Sequence, residues 1–156
     1  AQKQNSNWIP LAAMKYIAKL LSMPYISVYE VATFYTMYNL SPVGKYFIQI
    51  CTTTPCLLRG SDKIVNLCKK KISPNENEIS KNGNCSWMEV ECLGACVSAP
   101  MMQINDDYYE DLDKEKTLKI LDKILNGEKP EPGSYRGRIN NAPENNRKTL
   151  MDIKNA

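Results

Sequence analysis

Six cysteines and the absence of histidine define the chemistry open to this sequence. Without histidine, the 156-residue chain cannot form Cys–His or Ser–His catalytic pairs, or histidine-ligated zinc and iron–sulfur sites. Any metal must then be held by cysteine, with carboxylates as the weaker alternative. Because nothing in the sequence indicates secretion, paired cysteines are interpreted first as metal ligands or redox groups.

Four of the cysteines form two short motifs, each following a predicted strand. "CTTTPC" carries Cys51 and Cys56, and "ECLGAC" carries Cys92 and Cys96. If both strands belong to one sheet, the four sulfur atoms can converge at one end of it. Four thiolates suit a [2Fe–2S] cluster, which takes two for each iron, and they also suit a tetrahedral zinc ion.

The residues between the cysteines favour the cluster. Gly94 and Ala95 let the backbone come close to a cluster, and the three threonines offer hydroxyl donors, which we expect to point at sulfur. Zinc, disulfides and unrelated buried thiols stay open on spacing alone. A thioredoxin-type dithiol is less favoured, because the spacing is not C-x-x-C and Pro55 precedes Cys56.

The two remaining cysteines are predicted to have no ligand role. Cys68 falls on the apolar face of a predicted helix, which indicates a small core residue. Cys85 lies in a polar loop and is predicted to be a free thiol.

Two helices are predicted in the N-terminal part. The apolar residues of "WIPLAAMKYIAKLLSMP" recur at helical spacing, and Pro24 ends the stretch. A second helix over "VYEVATFYTMY" is predicted to have Ser27 as its N-cap, with Glu30 completing a capping box.

The elements that must position the cysteines follow in the order β, α, β, β, α. The strands are "KYFIQIC", "SWMEVEC" and "PMMQIND"; the helices are "LLRGSDKIVNLCKKKI" and "KEKTLKILDKILNG", the last capped by Asp113. This order predicts an α+β, thioredoxin-like sheet. Glu110 and Asp111 of "YYEDL" are expected in turn and helix-cap roles rather than as catalytic acids.

Three regions are predicted: a helical region over 1–42, a thioredoxin-like domain over 43–127, and an extended, proline-containing tail over 128–156. A net charge of +3 is too small to indicate nucleic-acid binding. No apolar run approaches the roughly 18 residues of a membrane span, so direct membrane insertion is not expected.

Several of these stretches together resemble one family. "YEVATFYTMY", "PVGKY", "CTTTPC", "ECLGACVSAPMMQIND" and "YYEDL" are similar to the small iron–sulfur subunit of the NADH-dehydrogenase module of respiratory complex I, the flavoprotein 2 family. The resemblance runs from about residue 8 to about residue 127. By this resemblance, the sequence starts inside the family's N-terminal helical region.

The resemblance implies an N-terminal helical bundle followed by a thioredoxin-like domain with one [2Fe–2S] cluster. The family's four ligands fall on Cys51, Cys56, Cys92 and Cys96. It also implies a role in electron transfer within NADH:ubiquinone oxidoreductase, with no catalytic site on this chain. The cluster would lie near the flavin and accept one electron transiently.

The implied partners are a larger flavoprotein subunit that binds FMN and NADH, and other subunits of the peripheral arm of complex I. The implied location is the matrix side of the mitochondrial inner membrane, with the bacterial cytoplasmic face as the alternative. Two other functions stay open: the homologous subunit of an NAD-linked hydrogenase or formate dehydrogenase, and a binding module stabilised by zinc on four cysteines.

Overall fold

The computed structural model describes residues 1–139, in which a five-stranded sheet follows two N-terminal helices. The helices are α1 (Leu11–Leu20), α2 (Tyr25–Phe34), α3 (Thr54–Leu58), α4 (Ser61–Lys71) and α5 (Lys114–Leu125). The strands are β1 (Tyr46–Cys51), β2 (Cys85–Val90), β3 (Met102–Ile104), β4 (Asp107–Glu110) and β5 (Gly133–Ser134). No helix in this part of the chain is long and apolar enough to cross a bilayer.

The N-terminal helices pack against each other through a small apolar cluster that includes Met14 and Ala32. The predicted cap of α2 is wrong: the helix begins at Tyr25, and the Ser27 amide donates to the Pro24 carbonyl at 3.1 Å. Pro24 lies just before the first turn, where its fixed φ is tolerated, so Ser27 is already helical. The helix also ends at Phe34, earlier than predicted.

The sheet has the strand order β2-β1-β3-β4-β5. β1 and β2 run parallel, joined by a crossover through α3 and α4, whereas β3 runs antiparallel to both β1 and β4. The predicted α+β class and the three predicted strands are confirmed. The single helix predicted after β1 is two helices, because Gly60 between them adopts a φ of +96°.

One face of the sheet packs on α4 and α5 to form the main core. Ile48, Ile50 and Trp87 are fully buried there, and the indole of Trp87 donates to the Ser73 carbonyl at 2.9 Å. Cys68 is fully buried in this core, as predicted. The prediction for Cys85 is wrong in its location: it is the first residue of β2 and is fully buried in the same core.

The C-terminal part of the described chain differs from the predicted tail. Asp113 caps α5 as predicted, accepting from the Lys116 amide at 2.8 Å. After α5, however, β5 pairs with β4 in parallel, so residues 128–139 include a strand of the sheet. Residues 140–156 of the predicted tail lie outside the described residues.

Gly44 lies where two backbone segments approach closely. A Cβ at this position would lie 2.7 Å from both the Cα of Cys85 and the amide nitrogen of Ser86. The Gly44 amide donates to the Ser86 hydroxyl at 2.9 Å, so the segment before β1 is fixed against the start of β2.

Gly44→Ala is expected to lower the free energy of unfolding by about 2–3 kcal/mol, because two backbone segments must separate to admit a methyl group. Urea unfolding of the purified chain measures this change. Gly83→Ala is the control: it has open space around its Cβ but a φ of +76°, so it isolates the conformational cost, about 1 kcal/mol. An unchanged free energy of unfolding in Gly44→Ala would contradict the close approach at Gly44.

Candidate metal centre

The parallel register of β1 and β2 brings the two cysteine motifs together. Cys51, the last residue of β1, lies opposite Val90, the last residue of β2. Neighbouring strands lie about 4.8 Å apart. The loop that follows Val90 therefore starts beside the end of β1, and Cys92 is the second residue of this loop. The expectation that both motifs lie at one end of a sheet is met.

The first pair of cysteines is buried. Cys51 follows Ile50 and therefore faces away from the main core, since side chains alternate along a strand. It forms a small apolar cluster with Cys56, Ala99 and Met101. Cys56 lies in α3, which starts immediately after Thr53, so the short helix returns the second sulfur towards the first.

The second pair of cysteines is exposed. Cys92 and Cys96 lie in the loop after β2, with their sulfur atoms 3.3 Å apart. Gly94 adopts a φ of +80° between them, and its amide donates to the Cys92 sulfur at 3.4 Å. The site therefore has one side shielded by apolar residues and one side open to solvent.

One of the three threonines contacts sulfur through its side chain. The Thr53 hydroxyl lies 3.3 Å from the Cys51 sulfur. Thr52 instead donates its amide to the Val90 carbonyl at 3.2 Å, and Thr54 is exposed at the start of α3. Thr53 is thus the threonine whose hydroxyl lies beside a cysteine sulfur.

Each pair has one thiol that ionises easily and one that resists ionisation. Burial disfavours the Cys51 thiolate, but hydrogen bonds from the Thr53 hydroxyl, the Cys56 thiol and the backbone outweigh it, so the pKa of Cys51 is lowered. Burial, the hydrogen bond to Cys51 and its charge raise the pKa of Cys56 to about 12. Hydrogen bonds from the Gly94 amide and the Cys96 thiol lower the pKa of Cys92. The pKa of Cys96 is raised, because its thiol donates the hydrogen bond to Cys92.

The four cysteines influence one another electrostatically. The Cys51 charge acts on Cys56, Cys92 and Cys96. Within residues 1–139, no three cysteine or carboxylate side chains are placed to hold one metal ion. Four soft thiolate donors fit a binuclear iron–sulfur cluster, in which each iron takes two thiolates, and they are also the donor set of a tetrahedral zinc ion.

The loop that carries Cys92 and Cys96 is held by side chains from β4 and beyond. The Tyr108 hydroxyl donates to the Leu93 carbonyl at 2.7 Å. The backbone amide of Asp111 donates to the carbonyl of Ser98 at 2.8 Å, and Ser98 is the last residue of the 3-10 turn formed by Cys96–Ser98.

The predicted role of Asp111 in a turn or helix cap is incomplete, because its carboxylate is buried and ion-paired with Arg138. Glu110 ends β4 and Asp113 caps α5. Sequence reasoning missed Tyr108, Asp111 and Arg138 as supports of the cysteine loop, since their contacts span 15 to 41 residues of sequence.

Comparison with known proteins gives a consistent result. The family model described as thioredoxin-like [2Fe-2S] ferredoxin matches residues 1–125, which include all four cysteines. Two curated relatives, from Rickettsia bellii (strain RML369-C) and Rickettsia conorii (strain ATCC VR-613 / Malish 7), are each named as a subunit of NADH-quinone oxidoreductase. They are 59% and 58% identical over 126 residues, which cover 81% of this chain and 75% of each relative.

Solved structures match at the level of fold. The crystal structure of NAD+-reducing [NiFe]-hydrogenase in the H2-reduced state superposes with a TM-score of 0.67 and 18% sequence identity over 74% of this chain. This chain spans only 20% of the matched hydrogenase chain, and at this identity the likeness concerns the fold alone.

Thr53→Val is expected to raise the pKa of the Cys51 thiol in the metal-free protein, because the thiolate loses a hydrogen-bond donor. A titration of the Cys51 ¹³Cβ chemical shift by NMR measures the change in midpoint between variant and wild type. Thr54→Val, at an exposed position, serves as the control and is expected to leave the midpoint unchanged. Equal midpoints in all three proteins would contradict the role given to Thr53.

Proposed function

We propose that this chain, which belongs to the thioredoxin-like [2Fe-2S] ferredoxin family, is the electron-transfer subunit of the NADH-oxidising module of a respiratory complex I. The observation that carries the proposal is its 59% identity, over 81% of its length, to a subunit of the NADH-quinone oxidoreductase of Rickettsia bellii. On this proposal the chain is part of an oxidoreductase and has no substrate site of its own.

The cluster ligands in this proposal are Cys51, Cys56, Cys92 and Cys96. Cys51 and Cys56 belong to one buried cluster, and the sulfurs of Cys92 and Cys96 lie 3.3 Å apart, which supports one iron held by the first pair and the other by the second. A bound [2Fe–2S] cluster supplies a reversible one-electron carrier. Met101 and Ala99 shield the first cysteine pair from solvent. The Thr53 hydroxyl and the Gly94 amide are hydrogen-bond donors to cysteine sulfur.

The partner in this proposal is a larger flavoprotein subunit that binds FMN and NADH, joined by other peripheral-arm subunits. Large apolar side chains beside the cysteines support a protein partner at this end of the molecule. Leu58 is 81% exposed two residues after Cys56, and Val97 is 62% exposed directly after Cys96. A partner that covers them would also cover the exposed cysteine pair.

Two alternatives are less well supported. The first alternative is the homologous subunit of an NAD-linked hydrogenase or formate dehydrogenase. The matched NAD+-reducing hydrogenase is only 18% identical to this chain, whereas the relative from Rickettsia bellii is 59% identical. A zinc-stabilised binding module has no support from the matched family model, which is described as a thioredoxin-like [2Fe-2S] ferredoxin.

The location we propose is the cytoplasmic face of a bacterial inner membrane, reached by association with other subunits. The relatives named above are bacterial, which supports this location over the mitochondrial one expected from the family resemblance. The mitochondrial matrix side is the alternative, and subcellular fractionation of the source cell distinguishes the two.

Anaerobic purification is expected to yield about two iron and two sulfide per chain, the stoichiometry of a [2Fe–2S] cluster, together with an EPR signal after dithionite reduction. Cys92→Ser, at an exposed loop position, is expected to fold but to lose the native EPR signal. Cys68→Ala is the matched control, because Cys68 is a thiol buried in the main core, and it is expected to keep the cluster. One zinc per chain without sulfide would overturn the assignment.

Leu58→Glu combined with Val97→Glu is expected to weaken binding to the flavoprotein subunit of the same organism at least about tenfold, since two charges would enter an apolar contact. Co-expression and pull-down with that subunit measures it, with iron content confirming that the cluster is intact. Leu20→Glu combined with Tyr16→Glu, two exposed apolar residues of α1, is the control for general surface charge. If the Leu58→Glu, Val97→Glu variant binds the flavoprotein subunit as tightly as wild type, the surface beside the cysteines is not the interface.

A further inference from the structure

A buried ion pair lies behind the loop that carries Cys92 and Cys96. The Arg138 guanidinium donates to both oxygens of Asp111, from Nη2 at 2.7 Å and from Nε at 3.1 Å. The Asp111 side chain is 1% exposed, and the Ser134 hydroxyl donates to its Oδ2 at 2.6 Å. Two parallel bonds from a planar guanidinium fix the orientation of both groups.

The same guanidinium reaches the loop directly. Arg138 Nη2 donates to the Val97 carbonyl at 2.7 Å and contacts the Ser98 hydroxyl at 3.1 Å. These residues follow Cys96 and belong to its 3-10 turn. Since the Asp111 amide also donates to the Ser98 carbonyl, both partners of the ion pair bind this turn.

Four other ion pairs within residues 1–139 are more exposed, including that of Lys116, which also donates to the Asp111 carbonyl. Lys71 and Asp122, which join α4 to α5, have side chains 42% and 56% exposed. Surface pairs of this kind contribute little to stability, whereas a buried carboxylate left without its cation is costly. The Arg138–Asp111 pair is therefore expected to keep a fixed geometry, because breaking it would leave a buried carboxylate without its cation.

We propose that Arg138, acting through Asp111, is a positioning residue that fixes the Cys92–Cys96 loop in the geometry needed to hold its iron. The inference rests on the proposed function for the identity of the metal group. Within the described residues, the loop after β2 is not part of a strand ladder, so side chains must supply the constraint that β1 supplies to Cys51. The C-terminal segment after β5 thus contributes to the metal centre although it lies more than 40 residues beyond the last cysteine.

The test uses the full chain with Arg138→Gln, Arg138→Lys and Lys71→Gln. In anaerobically loaded protein, Arg138→Gln is expected to lose its visible absorbance about tenfold faster under excess EDTA, the usual effect of removing an outer support of a metal ligand. Its reduced EPR spectrum is also expected to change. Arg138→Lys keeps the positive charge but cannot donate two parallel hydrogen bonds, so its rate of absorbance loss is expected to lie between those of wild type and Arg138→Gln. Lys71→Gln is expected to lose absorbance at the wild-type rate.

A second readout needs no metal. In the metal-free protein, hydrogen exchange of the Asp111 amide, which is bonded to Ser98, is expected to be faster in Arg138→Gln than in Lys71→Gln. If Arg138→Gln does not fold, Ser134→Ala replaces it, because it removes one hydrogen bond to Asp111 and is expected to change both readouts in the same direction.

The outcomes separate the two proposals. A wild-type protein that takes up no iron and sulfide overturns the proposed function, and the hydrogen-exchange result then decides whether Arg138 holds the loop. A loaded wild-type protein whose cluster loss, EPR spectrum and Asp111 exchange are all unaffected by the variants overturns the positioning role alone.

Discussion

The parallel register between β1 and β2 is the constraint on which the metal centre depends. It aligns Cys51 with Val90, and so places the two cysteine motifs at one edge of the sheet. A slip of one residue would turn Ile48 out of the main core and change the face on which Cys51 lies. Gly44 resists such a slip, because its backbone contacts the first residues of β2 without room for a side chain.

The two halves of the centre are stabilised by different means. Cys51 and Cys56 are held by a strand, a short helix and apolar packing, which are regular and local in sequence. Cys92 and Cys96 lie in an irregular loop, whose backbone groups are bound by Tyr108 and by the Arg138–Asp111 pair. A loop of this kind can stay exposed to a partner and still keep a defined shape, provided that buried polar groups behind it are fully paired.

This difference between the halves suits the proposed electron transfer. A cluster held by these cysteines would be shielded on the side of Cys51 and Cys56 and accessible to a partner on the side of Cys92 and Cys96. A partner that covers the apolar residues beside the cysteines would exclude water from the contact. The donors from Thr53 and Gly94 act on sulfur itself, where hydrogen bonds influence the reduction potential of a cluster.

The sequence alone determined which residues could form the site and the order of the elements around them. The absence of histidine, the two cysteine spacings and the alternating strand patterns are local properties, and they predicted the α+β fold and the placement of both motifs at one edge of a sheet. Tertiary structure decided which of three threonines contacts sulfur, that Cys85 is buried, and that Asp111 pairs with Arg138. Those outcomes depend on strand register and on contacts between residues far apart in sequence, which neither spacing nor periodicity encodes.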